Sequence, residues 1–578
     1  MANSLKRRGQ KFIKRFSKTS LKVSEEGKEH IKENVFERVS HIQNIRLLIL
    51  EWSLLVLALI TLSVAQMIWF ESSYAEDTFV AGGSYIEATV GRVNSMNPLF
   101  ATTSSEKTLS RLMFATLVTD DYTGHVGPGL AESVRVSDDG KVWTLKLRDN
   151  LKWSDGEPLT NEDVIFTLEL IQAPAVNSIY DANLENIKIE ENAAGEIVFT
   201  LPAAYADFQS ALEIPVVPKH ELEDSGLKTL VEDEFSNAPV TSGAFMFNAT
   251  QASSTSDDVV IYLSANPYYY GGKPMLTSFG IHAYADKEGV VAAMNAGAVT
   301  ATAELSGSDV DRVTTRSFIK AATPLDAGVF AFFNTTNGAL KNVELRRAIR
   351  TGINIESLRA VSPENVALDY PLLGSQITLE NYPALPAYDF DAAKAKIAEI
   401  AGGEPININI ATVNSGYLPE VAAKMCGELT ALGVNCGMMT YEETQDFVAN
   451  VISKRSYDIL IYEIELGADP DLLPYYHSSQ ATVAGLNLSN YRNALVDDLL
   501  VGARGTLDNA LRAKKYESFL EYWVSDVPAI GIYQGSLTYL YNKNVRAYGE
   551  DVRLVTALDR FVDVPAWAAA RGSKNLTP

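Results

Sequence analysis

Three acidic side chains follow one another closely at the end of an apolar run, in the segment DILIYEIELGADPD. Glu463, Glu465 and Asp469 lie within seven positions. A charged group that is buried without a counter-charge costs several kcal/mol, so a cationic ligand enclosed by the protein would need carboxylates of this kind. For Asp469 and the neighbouring Asp471, an Asx turn that caps the loop is the alternative interpretation.

Catalytic motifs are not supported by their surroundings. Ser104 to Lys107 spells SxxK, but neither KTG nor SDN accompanies it, and the motif is better explained as the cap of a helix through Leu109 and Met113. The sequence contains no GxSxG, HExxH or zinc-type Cys/His spacing. His477 beside two serines is expected to be structural, and we predict no metal, no cofactor and no enzyme activity.

The stretch from Gly129 to Thr167 predicts the local elements most clearly. Asp138-Asp139-Gly140 has the composition of a hairpin turn, and the next residues, Val142 to Arg148, alternate apolar and polar side chains as in a half-buried strand. Thr160 precedes Asp163 by three residues, which is typical of a capping box, so a helix is predicted to begin there. The stretch therefore predicts strand, turn, strand, turn and helix.

The N-terminal region predicts a membrane helix. Residues 1 to 50 contain twelve Lys or Arg against five Glu, although the whole chain carries a net charge of −23. From Trp52 to Trp69 no residue is charged, which is long enough to cross a bilayer, and the basic flank predicts a cytoplasmic N-terminus. A cleaved signal peptide, with Ser73-Tyr74-Ala75 near the cut, is the alternative. The acidic remainder argues against nucleic acid as a partner.

Several motifs together resemble one protein family. They are LAES, the DDG turn and KWSDGEPLT in the stretch above, then NPYYYGGKP at 266–274, FAFFNTTN from Phe330, and DPD followed by HSSQ near Asp469. In this combination the chain resembles the family 5 extracellular solute-binding proteins, the peptide and nickel receptors of ABC importers, over roughly residues 80 to 565.

The resemblance implies an α/β fold of the periplasmic-binding-protein type II kind, with two lobes, an extra inserted lobe and an N-terminal transmembrane helix. Two strands that cross between the lobes would form the hinge, one leaving after Phe330 and one returning from Pro528. The expected divisions are 1–46 basic cytoplasmic tail, 47–70 transmembrane anchor, 71–82 linker, 83–118 lobe I, 119–235 inserted lobe, 236–327 lobe I again, 328–527 lobe II, 528–565 lobe I return and 566–578 tail.

The resemblance also suggests where a ligand would bind. Asn94 and Ser95, in a loop of lobe I, and Asn334 are candidates by loop position, together with Glu463, Glu465 and Asp469. The family's amine-binding Asp follows a Gly-Trp pair that this sequence lacks, and its position is occupied by Gly467. The transfer of that role is therefore not direct, and any of the three acids could take it.

The implied function is a membrane-anchored importer receptor, a monomer outside the cell that captures peptides or other small solutes and delivers them to permease and ATPase subunits. A receptor that signals through its basic tail is an alternative, and a secreted hydrolase is a more remote one. Cys426 and Cys436 are the only cysteines. Outside the cell a disulfide between them is permitted but not implied.

Overall fold

A computed structural model describes residues 46–575, with gaps at 122–125, 228, 231, 254–257, 363–365, 443–444 and 548–551. The predicted basic tail, 1–46, lies outside these residues except for its last position. The chain divides into two compact units. Of the described residues, 46–78 and 572–575 belong to the first unit and Phe79–Arg571 form the second.

The strands of the described residues are β1 (Ala75–Val80), β2 (Ser84–Val90), β3 (Val118–Asp120), β4 (Val126–Pro128), β5 (Ala131–Val136), β6 (Val142–Leu147), β7 (Lys188–Glu191), β8 (Ile197–Thr200), β9 (Phe245–Ala252), β10 (Val259–Ala265), β11 (Ser278–Tyr284), β12 (Ala301–Thr302), β13 (Phe318–Phe333), β14 (Val366–Ala367), β15 (Asn407–Val413), β16 (Asn435–Tyr441), β17 (Ile459–Glu465), β18 (Ala529–Asn542) and β19 (Ala570–Asn575). Their α-helices are α1 (Arg46–Tyr74), α2 (Ser104–Met113), α3 (Asn161–Gln172), α4 (Asp181–Leu184), α5 (Lys219–Leu222), α6 (Lys287–Ala296), α7 (Ser308–Asp311), α8 (Val343–Gly352), α9 (Ile355–Arg359), α10 (Phe390–Ala401), α11 (Leu418–Ala431), α12 (Gln445–Phe447), α13 (Leu473–Tyr476), α14 (Ala494–Arg504) and α15 (Asn509–Asp526).

The first unit contains the predicted apolar helix. Within α1, Ile49–Met67 has a mean hydropathy of 1.9, and among the described residues it is the one segment long and apolar enough to cross a membrane. Its large apolar side chains are exposed. Length and composition of this kind are shared by membrane anchors and signal sequences.

The second unit is built on one long sheet with the strand order β16-β15-β17-β13-β18-β12-β2-β11-β10-β9. The strands β15, β16 and β17 run parallel to one another, and so do β2, β11 and β12. Between these two parallel groups lie β13 and β18, which pair antiparallel over almost their whole length. These two strands are the continuous backbone connection between the halves of the sheet.

The apolar cores show where the hinge lies. The buried residues of one core include β13 from Val329 onward and β18 as far as Tyr533. The other core includes β18 from Leu537 onward. Where one core gives way to the other, the regular pairing of β13 with β18 is interrupted between Pro324 and Gly328. Proline cannot donate a hydrogen bond to the sheet, so the pairing is weakest where the cores change. We define lobe II by the first core and lobe I by the second.

The inserted region forms a separate antiparallel sheet, β5-β6-β8-β7, yet it does not have a core of its own. Its Trp143, Trp153 and Phe199 belong to the same apolar cluster as Tyr85 and Phe279 of lobe I. The inserted region therefore shares its apolar core with lobe I.

The capping box predicted at the start of α3 is confirmed. The Thr160 hydroxyl accepts a hydrogen bond from the backbone of Glu162, and the Asp163 carboxylate accepts one from the Thr160 backbone at 2.9 Å. The SxxK motif begins α2 as expected, and its Glu106 completes a capping box with Thr103, whose hydroxyl accepts from the Glu106 N–H. The two cysteines, for which a disulfide was permitted, form the Cys426–Cys436 disulfide, which connects α11 to β16.

Candidate functional site

The carboxyl ends of β12 in lobe I and β15 in lobe II lie close to each other. The segment after β12 contacts the segment after β15, since a Cβ at Gly307 would lie 3.0 Å from the carbonyl oxygen of Gly416. In open α/β sheets, ligands bind outside the carboxyl ends of parallel strands. The ends of β2, β12, β15 and β17 thus define the candidate ligand cleft.

On the lobe I side, Asn94 and Ser95 follow β2 as predicted. Asn94 is exposed, and its backbone N–H donates to Glu106 at 2.8 Å. Burial opposes the charge of Glu106, but backbone N–H groups of Thr103, Asn94 and Thr102 donate to it and lower its pKa overall. Ser95 is buried, and its hydroxyl accepts from the backbone of Asn97 at 3.1 Å. The Glu106 carboxylate therefore holds this loop by hydrogen bonds, one of them from the exposed Asn94 side-chain amide at 3.3 Å.

On the lobe II side, Glu463 and Glu465 project from the same face of β17, because alternate residues of a strand share a face. Glu463 lies beside the hinge, where a Cβ at Gly535 would be 2.5 Å from its carboxylate oxygen. Burial first, and then the negative charges of Glu463 and Glu420, raise the pKa of Tyr533 well above its ordinary value. Glu465 is exposed, and its backbone carbonyl accepts a hydrogen bond from Tyr475. The cleft side of lobe II is therefore acidic.

One acidic residue of this region was not predicted. Glu304 lies two residues after the end of β12 and accepts a hydrogen bond from the Ser104 hydroxyl. Burial raises its pKa above the ordinary value for a glutamate. Two hundred positions separate Glu304 from Ser104, and no local pattern in AELSGSD marks it.

Two predicted site residues have structural partners elsewhere in lobe II. The Asn334 amide donates to the carbonyls of Arg455 and Tyr457 and accepts from Thr336. Asn334 follows the end of β13, a few residues beyond the position near Gly328 where the apolar cores change. The Asp469 carboxylate pairs with both terminal nitrogens of the buried Arg512.

Groups able to hold a metal are sparse among the described residues. Among these residues, one group of three side chains has its possible ligand atoms close together. It consists of Asp155, His220 and Glu221 of the inserted lobe, all of which are exposed. His220 Nε2 is hydrogen-bonded to Asp155 at 3.0 Å, which joins the turn before α3 to the start of α5. His477 is likewise structural, since its Nδ1 accepts from the Ser479 backbone at 3.0 Å.

The inserted lobe reaches across to lobe II at a second place. The backbone N–H of Ala206 donates to the Arg504 carbonyl at 2.8 Å, and the Arg504 guanidinium lies 5.0 Å from the Tyr205 ring centroid. Asp207 lies in this contact, facing Ser210, Asp471 and the guanidinium groups of Arg512 and Arg504. Burial is the main cause that raises its pKa to about 7.

This contact predicts a pH dependence. An acid whose pKa is raised in the folded state stabilises that state below its ordinary pKa, and this contribution is lost as the pH rises through about 7. We expect the stability of Asp207→Asn relative to the wild type to rise by about 2–3 kcal/mol between pH 5 and pH 8, because only the wild type has to ionise this buried carboxyl group. Urea unfolding at both pH values measures this. Asp138→Asn, an exposed change on the same lobe, is the control. If the stability of Asp207→Asn depends on pH as that of the wild type does, the prediction is contradicted.

Comparisons with known proteins agree with this geometry. The chain is 24% identical over 490 residues to the oligopeptide-binding protein AppA of Bacillus subtilis (strain 168), covering 81% of this chain and 89% of that relative. The solved structure of AppA in complex with a nonapeptide matches with a TM-score of 0.69 at 22% identity, over 85% of this chain and 100% of AppA. NikZ from Campylobacter jejuni in complex with Ni(L-His) matches with a TM-score of 0.70 at 23% identity, over 84% and 99%.

The two lobes, the paired hinge strands and the cleft at the strand ends define a bilobal binding protein of the periplasmic-binding-protein type II class. Residues 125–484 match the family model of bacterial extracellular solute-binding proteins, family 5 Middle. The chain belongs to this family. It is a solute-binding protein of the kind that serves ABC importers.

Proposed function

We propose that the protein is a membrane-anchored receptor that captures peptides or similar small solutes outside the cell by closing its two lobes. The observation that carries this proposal is the change of core along β13 and β18, which leaves two strands as the joint between lobes. A few backbone torsions in such a joint can rotate one lobe without disturbing either core. Ligand binding then depends on how much better the closed form binds than the open form.

The acidic cleft supports a ligand with a positively charged group. Glu463 lies at the hinge, and Glu420 is close enough to act on the same tyrosine. The amino end of a peptide is such a group. The solved complex of the similar protein AppA with a nonapeptide supports peptides as the first class to test.

Delivery and anchoring complete the proposal. α1 would hold the receptor in the membrane, with the basic tail in the cytoplasm and the second unit outside. The receptor would act as a monomer and pass its solute to permease subunits driven by ATPases, without catalysing a reaction. Membrane fractions should contain the full-length chain, and a mature product that begins near Glu76 would instead show a cleaved signal.

Native mass spectrometry of the full-length protein, extracted in detergent without refolding, tests the function. We expect a co-purified small solute or peptide, and Glu463→Gln should weaken rebinding of a cationic ligand about tenfold, equivalent to 1.4 kcal/mol. Glu169→Gln, an exposed change on the inserted lobe, should have no effect. Equal affinity in wild type and Glu463→Gln would refute the assignment of this carboxylate.

A further inference from the structure

A second cavity, of about 680 Å³, lies beside the hinge strands. Its walls come from three places: Asp326 and Gln534 on the hinge strands, the loop after β14 that includes Leu368 and Tyr370, and Arg553 of the lobe I return. The volume is within the usual range of small-molecule sites. Residues of both lobes therefore line one ligand-sized space.

This cavity and the cleft lie on opposite faces of the hinge strands. Gly328 pairs with Gln534, and a Cβ at Gly328 would meet the Leu368 side chain, which places this face of the sheet toward the cavity. The next residue, Val329, pairs with Glu463 on one side and Tyr533 on the other. Because successive residues of a strand face opposite ways, the acidic cleft is on the other face.

The lining has a distinct chemistry. The Tyr370 and Tyr382 rings lie 4.9 Å apart between centroids, near Leu368 and other aliphatic side chains. One carboxylate oxygen of Asp369 accepts from Arg359 at 2.6 Å, and the other accepts no hydrogen bond from the described residues. Gln534 donates its amide N–H to the Leu325 carbonyl at 2.8 Å, which leaves its own carbonyl oxygen for another donor.

The cationic group of the cavity is already engaged. Arg553 donates to the Asp326 carboxylate and, at 3.2 Å, to the Ser375 carbonyl. The open polar groups are thus mainly acceptors beside aromatic rings. Such a lining suits a flat apolar body that carries an ammonium or amidinium group.

We propose that this cavity is a second ligand site, separate from the cleft, for a small organic cation with an apolar body, and that its occupant favours the closed form. This coupling between the cavity and the closed form depends on the hinge motion of the proposed function. When the lobes rotate about the hinge strands, the gap on one face narrows as the gap on the other widens. In this structure the lobes touch across the cleft, so an occupant that fits the cavity holds them in that state.

Tyramine, an aromatic ring with an ammonium group, is the probe. We expect calorimetry on the full-length protein in detergent to detect binding below about 10 mM, because a ligand of this size reaches at least that affinity in a fitting pocket. Gly374→Trp should weaken tyramine binding at least tenfold. Gly374 lines the cavity at an exposed position, and a Cβ there meets no atom within 4 Å, so an indole has room at the mouth of the cavity without displacing the backbone.

Matched variants separate this site from the cleft. Gly427→Trp has the same open surroundings on the exposed face of α11 and should bind tyramine as the wild type does. Asp369→Asn should weaken binding, whereas Glu463→Gln should not. Absence of wild-type binding, unchanged binding in Gly374→Trp, or loss in Glu463→Gln alone would overturn the second site. None of these results depends on whether the cleft binds peptides.

The coupling has its own measurement. An indole at Gly374 that occupies the cavity acts as a tethered occupant, so Gly374→Trp should slow release of the co-purified cleft ligand several-fold relative to Gly427→Trp. Faster or unchanged release would overturn the coupling, even if tyramine binds.

Discussion

Replacing Arg560 by methionine is expected to lower the free energy of unfolding by about 3–5 kcal/mol, the largest stability effect that we predict. Arg560 Nη2 lies 2.6 Å from a carboxylate oxygen of Glu87, and both side chains are almost fully buried in lobe I. Removal of the guanidinium leaves a buried carboxylate whose remaining side-chain donor is the Tyr539 hydroxyl at 2.9 Å. Urea unfolding of the full-length protein in detergent measures the loss.

Two further variants test the reason for that loss. The double change Glu87→Met with Arg560→Met removes both charges and should recover most of the stability, because a buried pair contributes little net energy once desolvation is counted. Arg312→Met breaks a salt bridge with Glu288 whose side chains are 43% and 68% exposed, and it should cost less than about 1 kcal/mol. If Arg560→Met lowers the free energy of unfolding no more than Arg312→Met does, then Glu87 does not depend on Arg560 to compensate its buried charge.

Local features were predictable because their partners are close in sequence. Thr160 and Asp163 are three residues apart, and the positions of Glu463 and Glu465 on one strand face follow from alternation alone. The Glu304–Ser104 contact and the Asp207 cluster join residues two hundred or more positions apart. Their meeting depends on how lobes pack, which no local pattern expresses.

The hinge shows the same limit. Sequence motifs indicated two crossings, and the second was expected from Pro528, immediately before β18 begins. The first was expected in the segment from Phe330, with the lobe boundary between 327 and 328, and β13, which begins at Phe318, runs through that boundary as a single strand. Continuous apolar strands do not reveal where one core ends and another begins. The interruption near Pro324 can be recognised only from the pairing of β13 with β18, which the sequence does not give.

A cross-link over the cleft tests the motion on which capture depends. We expect the disulfide formed by Ser306→Cys with Gly416→Cys to slow ligand exchange about 100-fold or more, since opening precedes release. A Cβ at Gly416 would lie 3.6 Å from the Ser306 hydroxyl oxygen, within reach of a disulfide. The φ of +53° at Gly416 adds a cost of about 1–2 kcal/mol for cysteine, which the bond can tolerate.

The design needs a background in which Cys426 and Cys436 are replaced by serine, so that the new cysteines can pair only with each other. Exchange is followed by native mass spectrometry as bound ligand is displaced, before and after reduction. The single variant Gly416→Cys should exchange at the background rate, and reduction should restore exchange in the double variant. Wild-type exchange in a protein whose cross-link is verified by mass would mean that ligands enter without lobe opening, and the two strands would then be a fixed connection.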